Sequence, residues 1–492
     1  MTFDLQTCAE LLTHPQTEAV PGAELRPRIA VIGGGVAGST VALRLAQQGE
    51  LDVVLMEQGP SLVNGPPMCH LHAGGNLYRE ISDAQCLKLL KQSIDTLKLY
   101  PHVANVRPTV IAVPTRDAGD PLALLPRLEK VRAAYHALVQ QDPDNARLGA
   151  PEDYFRLFER TELEALREAP LPQQPECPEH WMIPLAKTLD FDTVQWPLVL
   201  VQEYGLSLFR LAASAELSLA GFPQVEVMCG TRLLNVEANG AGWDLHYQQG
   251  GVSRTMTVDY LVNACGYRTG TLDDVLGEPR QRLVEFKAAY LARWPDAVGT
   301  WPEVIFHGER GTPEGMAQLT PYGDGLFQLH GMTESITLFK SGLVASDDRS
   351  AQPRLAPELE AKIVRGWPES VVVQRSRAAI AHMSHFLPGF ISAEPGGKPL
   401  FGAQQIPGTD PSLRAADVSF GRHRYARTEI VKASSALSAA NAIIDSLAEQ
   451  GWLQGDERPV PMLERDAVVN RAVELAEARH YPPQLARPSG MK

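Results

Sequence analysis

Cysteine is scarce in this chain and never paired: the six residues, at 8, 69, 86, 177, 229 and 265, show no C-x-x-C spacing. Neither a zinc site nor a disulfide framework is implied. The thirteen histidines contain no H-E-x-x-H. His70/His72 and His382/His385 have spacings that could reach one ion, but no carboxylate or thiolate motif accompanies them, and no metal is expected. Long apolar runs are missing too. Nothing approaches the roughly 20 residues that cross a bilayer, and the first 24 residues lack the basic region and apolar core of a signal peptide. The expected location is cytoplasmic, with peripheral membrane contact through an amphipathic helix left open. There is also no basic stripe. Lys and Arg are scattered through a chain of net charge -13, which gives nucleic acid no binding face and reads as solubility.

What is present is a complete βαβ dinucleotide unit. Ile29 to Ile32 form an apolar strand, and Gly33, Gly35 and Gly38 follow in G-x-G-x-x-G spacing. Gly33 permits the tight turn, Gly35 lets backbone approach a pyrophosphate at a helix N-terminus, and Gly38 lets helix and sheet pack closely. Gly34, Val36 and Ala37 complete the turn. The helix Ala37–Gln48 stops at Gly49, and a second strand, Asp52–Met56, delivers Glu57, followed by Gln58. A carboxylate there accepts ribose hydroxyls and disfavours a 2′-phosphate, so the cofactor is FAD or NAD rather than NADP.

At 492 residues with 44% hydrophobic content, the chain is long enough for two joined domains. Helical spacing marks Ile81–Tyr100 and Leu125–Gln140, a Pro/Gln/Glu-rich loop covers Pro170–Pro178, and Leu198–Ala220 reads as one helix. Strands follow from Val225, ending in Asp259-Tyr-Leu-Val-Asn-Ala-Cys-Gly266, a second buried strand with a small-residue turn. Alternating patterns between Leu283 and Leu343 indicate an inserted antiparallel sheet. Thereafter the chain reads as a helix near Glu358–Gly366, a strand-like Ser370–Gln374, a loop-rich stretch Phe386–Pro411, and a long helix from about Ala426 to Glu449. The expected fold is α/β: a Rossmann-like, glutathione-reductase-like domain (28–100, 201–282, 401–450) with an inserted antiparallel substrate domain (283–400). A helical substrate-domain segment (101–200), an N-terminal leader (1–27) with a short helix around Leu5–Leu12, and a C-terminal helical tail (451–492) complete it.

In that order, these pieces resemble the FAD-dependent oxidoreductases of the D-amino-acid oxidase superfamily over roughly residues 28 to 450, most specifically at Gly33–Gly38 with Glu57, at Thr231-Arg-Leu and at Val262–Gly266. The resemblance implies FAD as cofactor, with Leu233 near adenine, Ala264, Cys265 and Gly266 near the pyrophosphate, and Gly421 to His423 as the turn facing the flavin pyrimidine edge. The loop from Met68 to Tyr78, with His72-Ala73-Gly74, is similar to loops that malate:quinone oxidoreductases and 2-hydroxyglutarate dehydrogenases place beside the flavin ring, which adds Ala73 to the cofactor contacts. The chain departs from related families in lacking a second G-x-G-x-x-G, a dithiol, the tryptophan halogenase W-x-W-x-I-P, and a cysteine at the usual covalent attachment point, although Cys69 lies near the loop.

The implied reaction moves hydride from a small carboxylate, a 2-hydroxy acid or amino acid, to flavin and then to quinone or oxygen. It needs a carboxylate clamp and a base. Arg422 and Arg424 are candidate clamps, since a guanidinium matches a carboxylate bidentately; the alternatives are a surface loop or a contact to FAD. His72 and His423 are candidate bases or flavin contacts, set against structural histidines. Tyr322 and His330 read first as sheet residues, and Arg310 as a solvated loop residue. A flavin monooxygenase, or a flavoprotein whose FAD is structural and serves assembly of a partner, remain alternatives.

Overall fold

The computed structural model describes residues 26–67, 70–74, 79 and 81–488. The expected leader helix, Cys69, and Gly75 to Tyr78 of the histidine loop lie outside the described residues.

In chain order, β1 (Arg28–Ile32), α1 (Val36–Gln47) and β2 (Asp52–Met56) make the βαβ unit. Next come α2 (Asp83–Leu99), β3 (Thr109–Pro114), α3 (Leu125–Gln141), β4 (Phe155–Phe158) and β5 (Val194–Val201). They lead to α4 (Leu208–Leu219), β6 (Val225–Met228), the meander β7 (Thr231–Asn239), β8 (Gly242–Gln249) and β9 (Val252–Val258), then β10 (Tyr260–Asn263) and α5 (Thr269–Leu276). The second half holds β11 (Arg282–Arg293), β12 (Glu303–Phe306), β13 (Ala317–Pro321), β14 (Leu326–Gly331) and α6 (Glu369–Ser384). It closes with β15 (Leu400–Pro407), β16 (Val418–Phe420), β17 (Tyr425–Thr428), α7 (Ala436–Glu449) and α8 (Arg465–Ala478).

One sheet has the order β16-β17-β10-β1-β2-β6. All its pairings are parallel except β16 with β17. Parallel strands covered on both faces need apolar residues throughout, and Ile29–Ile32 and Val53–Met56 are all buried. The larger sheet runs from β11 through β14, β13, β12, β3 and β5 to β4, with β15 also on β11. It is mostly antiparallel, but β12 lies parallel to β3, Glu303 opposite Thr109.

Each strand of the larger sheet alternates, and the alternation decides which face meets the cofactor domain. Val304, Phe306, Leu319, Phe327, Leu329, Ala288 and Tyr290 point into a core shared with Ile380 and Met383 of α6. The intervening residues Glu285, Lys287, Glu303, Gln318, Gln328 and His330 therefore occupy the opposite face. On that side Ile111, Val199 and Leu291 share one core with Val31, Leu55 and Ile443 of the first sheet and its helices.

Several expectations are corrected. Leu198–Ala220 is not one helix: its first part belongs to β5, and α4 begins at Leu208. A buried apolar run of this length fits either element, and the β-branched Val199 and Val201 pair with Ile111 and Thr109 of β3. Ser370–Gln374 is helix, within α6; packing of Ala379 and Ile380 on the sheet outweighs the strand propensity of three valines. The stretch after Phe386 contains β15, eight residues paired along β11. The expected helix from Ala426 is strand β17, and α7 starts ten positions later at Ala436.

Candidate functional site

The C-terminal ends of the parallel strands share one edge, the usual ligand edge of such a sheet. Gly33, Glu57, Ala264 and the residues after Thr428 meet there. Gly33 has φ +101°, and its N–H donates to Met56 O at 2.8 Å. An added Cβ at Gly33 would strike the Ala264 carbonyl, and one at Gly38 would land on the Gly33 carbonyl. At Gly35 a Cβ meets nothing within 4 Å; its position is open, as close approach by a pyrophosphate requires. Gly35 also precedes α1 without any side-chain cap, so the first N–H groups of α1, with Val36 and Ala37, are left for an anion. The Glu57 carboxylate is oriented by the N–H groups of Gly34 (2.7 Å) and Gly59 (2.6 Å), with further lone pairs for ribose. Thr231 N–H donates to Glu57 O at 2.9 Å, bringing the start of β7 and Leu233 beside this acid, while Gln58 is exposed next to it. Cys265 Sγ lies 3.4 Å from Ile32 O, and burial pushes its thiol up to about 12. Gly266, at φ +57°, completes this turn. These residues fit the ADP half of a dinucleotide.

The histidine loop is pinned onto the same edge. Leu71 N–H donates to Tyr204 O at 3.3 Å, Ser93 Oγ donates to Leu71 O at 2.6 Å, and Tyr154 donates to Ala73 O at 3.4 Å. His72 adopts φ +53°, a conformation costly for a non-glycine residue. Its Nε2 lies 3.2 Å from Lys432 Nζ. Burial and then the Lys432 ammonium hold its imidazole well below the ordinary range, with His70, Arg414 and His330 adding to the effect. Lys432 belongs to the turn between β17 and α7, whose N-terminus also lacks a side-chain cap.

The polar face of the larger sheet meets this loop. Glu303, with a fully buried side chain, bonds Arg107 and lies 2.9 Å from His70 Nε2; the Gln318 amide touches both Glu303 and His70. Burial would raise the Glu303 carboxyl, but Arg107 and His70 hold it down to about 2. Lys287 Nζ sits 2.6 Å from Glu285, which Arg310 also bonds. Burial lowers the Lys287 ammonium, whereas Lys287 and Arg310 outweigh burial to lower Glu285. His330, opposite Gln318 in the register, is pushed down to about 3 by burial and by nearby Lys287, His70 and Lys432. Tyr322 OH lies 3.3 Å from Gln328 Oε1.

Arg422, His423 and Arg424 are placed elsewhere. Gly421 to Arg424 form the turn of the β16–β17 hairpin, before β17, at the sheet edge opposite Gly33. Gly421 N–H bonds Tyr425 O, Arg422 N–H bonds Glu278, His423 and Arg424 reach Ala241 O, and Arg424 stacks over Trp452. The flavin-facing turn expected there is corrected, because a parallel strand presents its C-terminal end to the ligand and the hairpin precedes the strand. The stretch at the right edge is Glu429–Ser435. Lys432, His70, Glu303, Gln318, Lys287 and Arg414 were missed; the signal for Lys287, Glu303 and Gln318 was polar residues at alternate positions of otherwise apolar strands, and the loop residues His70, Arg414 and Lys432 carried none.

A parallel sheet with this glycine turn, roofed by a polar sheet face, defines the fold of FAD-dependent oxidoreductases. Residues 28–66 match the family model of the FAD binding domain, and FAD is the cofactor of this unit. Glycine oxidase from Geobacillus kaustophilus is similar in structure, with TM-score 0.53 and 14% identity over 86% of this chain and 95% of that one. L-amino acid deaminase from Proteus vulgaris gives TM-score 0.54 and 14% identity over 92% and 98%. L-alpha-glycerophosphate oxidase from Mycoplasma pneumoniae, with FAD bound, gives 0.53 and 14% over 89% and 100%. No curated protein matches the sequence. Among the described residues no helix is long and apolar enough to cross a membrane.

Proposed function

We propose that this chain is an FAD-dependent dehydrogenase or oxidase acting on a small carboxylate, a 2-hydroxy acid or an amino acid, with electrons leaving to a quinone or to oxygen. The observation that carries this reading is the gathering of cations beside the histidine loop: Lys432 Nζ lies 3.2 Å from His72 Nε2, and Lys287, Arg310 and Arg414 act on His330, Glu285 and His72 of the same surface. Cations gathered beside a cofactor edge suit an anionic substrate. Bound FAD supplies the two-electron acceptor for a substrate C–H bond. The glycine turn and Glu57 would hold its ADP half, and the loop 70–73 with the turn 429–435 its flavin half. Arginine and lysine side chains orient the carboxylate, His72 accepts a hydrogen bond from Lys432 and stays uncharged, and the sheet above excludes water. Names of the similar structures, which include oxidases and a deaminase of amino acids, support the same class.

The test is the visible spectrum of the purified holoprotein, recorded anaerobically with pools of 2-hydroxy acids and of amino acids. Bleaching by one pool is the expected result. A flavin that no carboxylate reduces would overturn this reading.

A further inference from the structure

Behind the glycine turn, one residue holds a backbone conformation that its side chain disfavours. Val63, fully buried, has φ +52°, and a β-branched residue rarely enters the left-handed region. Such strain persists only where surrounding contacts over-determine it. Here they come from both sides. Val63 N–H donates to Gly34 O at 2.7 Å, and the carbonyls of Leu62 and Val63 accept from a single guanidinium. Arg479 Nη2 reaches Leu62 O at 2.6 Å and Ser61 Oγ at 2.9 Å, while Nη1 reaches Val63 O at 2.7 Å. Leu62 N–H is held in turn by Glu216 Oε1 of α4 at 3.3 Å. Arg479 ends α8 and lies over the Phe209 ring, 5.5 Å from its centroid. Among the described residues its side chain donates only to these three neutral oxygens, and its Nε has no partner. The segment that carries it is itself anchored, because Ser207 Oγ donates to Leu485 O at 3.1 Å and Arg210 to Ala486 O at 2.9 Å. A planar fork spanning two successive carbonyls fixes their peptide planes, as a point charge does not.

The consequence falls on Gly34. Its N–H donates to Glu57 Oε2 at 2.7 Å, and its carbonyl accepts from Val63 N–H and from Ser39 Oγ at 2.9 Å. In a trans peptide the N–H points opposite to the C=O, so turning the Gly34 carbonyl inward turns the Gly35 N–H outward. That N–H has no partner among the described residues, and a Cβ on Gly35 would meet nothing within 4 Å. We infer that Arg479 is a positioning residue for cofactor binding: it holds Val63 in the left-handed conformation, so that Val63 turns the Gly34–Gly35 peptide and aims the Gly35 N–H at the pyrophosphate of FAD. The inference rests on FAD binding at this turn and is independent of the substrate proposed above.

The experiment titrates FAD into apoprotein, records phosphorus NMR of the bound pyrophosphate, and measures apoprotein Tm alongside. Arg479→Met should weaken FAD binding by about 10- to 100-fold, the worth of a hydrogen bond to a charged group, and should shift the pyrophosphate resonances. Adding Val63→Gly empties buried volume and should lower Tm further. Glycine takes a positive φ without strain, however, so FAD affinity and the phosphorus resonances of the double variant should return toward those of the wild type. A merely structural arginine requires both readouts to worsen together. Wild-type FAD affinity in Arg479→Met, or a double variant that binds FAD no more tightly than Arg479→Met, would overturn the inference. Should Arg479→Met fail to fold, Arg479→Lys takes its place, since it keeps the charge and loses the planar fork. Several-fold weaker FAD binding that Val63→Gly reverses is then expected, and wild-type affinity would again overturn the inference.

Discussion

The three glycines of the first turn have separable duties, which single substitutions can distinguish. Gly38→Ala drives a Cβ into the Gly33 carbonyl, so loss of folded protein is expected, read as a collapse of soluble yield and Tm. Gly35 has φ -67° and ψ -172°, an extended conformation open to any residue, and a Cβ there touches nothing within 4 Å. Gly35→Val should therefore leave apoprotein Tm unchanged while flavin retention, measured from the visible-to-ultraviolet absorbance ratio, falls at least tenfold. Full flavin occupancy would remove the pyrophosphate from this turn. Lys432→Met tests the cationic cluster: flavin content should hold, and KM for the bleaching carboxylate should rise about tenfold, equal to about 1.4 kcal/mol. His330 supplies a pH signature. Its ring titrates at about 6.5 in the unfolded chain and about 3 in the fold, so between those values the unfolded state binds the extra proton. The stability it contributes is complete above about pH 6.5 and drains away as pH falls toward 3. His330→Asn should flatten that part of a Tm-against-pH curve; an unchanged slope would show that the ring protonates freely in the fold.

One buried charge network ties several elements together at the outer end of the first sheet. Asp273 of α5, fully buried, takes Arg427 of β17 at 2.6 Å, Arg282 of β11 at 2.6 Å and the Tyr425 hydroxyl at 2.7 Å, while Glu429 takes Arg280 and Arg282 at 2.5 and 3.3 Å. It fixes the strand that ends in the Lys432 turn and the strand that carries Lys287. Asp273→Ala leaves two guanidinium groups without that carboxylate and should cost about 3–5 kcal/mol in denaturant unfolding. A cost under about 1 kcal/mol would mean that water or rearrangement satisfies the arginines. Such long-range partners explain what the sequence could and could not disclose. The βαβ unit was legible because its glycine spacing, apolar strand and acid are local. The β7–β9 meander and the four strands β11 to β14 were legible from alternation. The run Leu198–Val201 was not, because a buried strand and a buried helix share the same apolar signature, and the three valines at 371–373 read as strand because the sheet packing of α6 is tertiary. The site was half legible: His72 and the glycine turn came from motifs, but Arg422–Arg424 were chosen from a glycine turn whose place in a hairpin only the strand order reveals. Glu303 and Gln318 gain meaning from strands that are distant in sequence from His70.

At the scale of the molecule, the two sheets are not independent bodies linked by a hinge. Val31 and Leu55 of one and Ile111, Val199 and Val201 of the other lie in a single apolar core. The C-terminal segment adds to it: Arg479, just after α8, donates to Leu62 O at 2.6 Å and Val63 O at 2.7 Å, and Val63 N–H in turn bonds Gly34 O at 2.7 Å. The dinucleotide turn is thus held from behind by the end of the chain. FAD laid along this edge would touch residues from three separated stretches, 33–57, 70–73 and 428–436, so its binding should order the molecule globally. Excess FAD at 100 times its Kd should stabilise the fold by about 2.7 kcal/mol and raise Tm with concentration. Hydrogen exchange of apoprotein against holoprotein would locate the effect. Protection should rise in all three stretches together, and α6, which packs on the far face of the larger sheet, should change least. Protection confined to residues 28–66 would place the flavin away from the polar sheet, and with it would fall the assignment of Lys432 and the histidine loop to the substrate site.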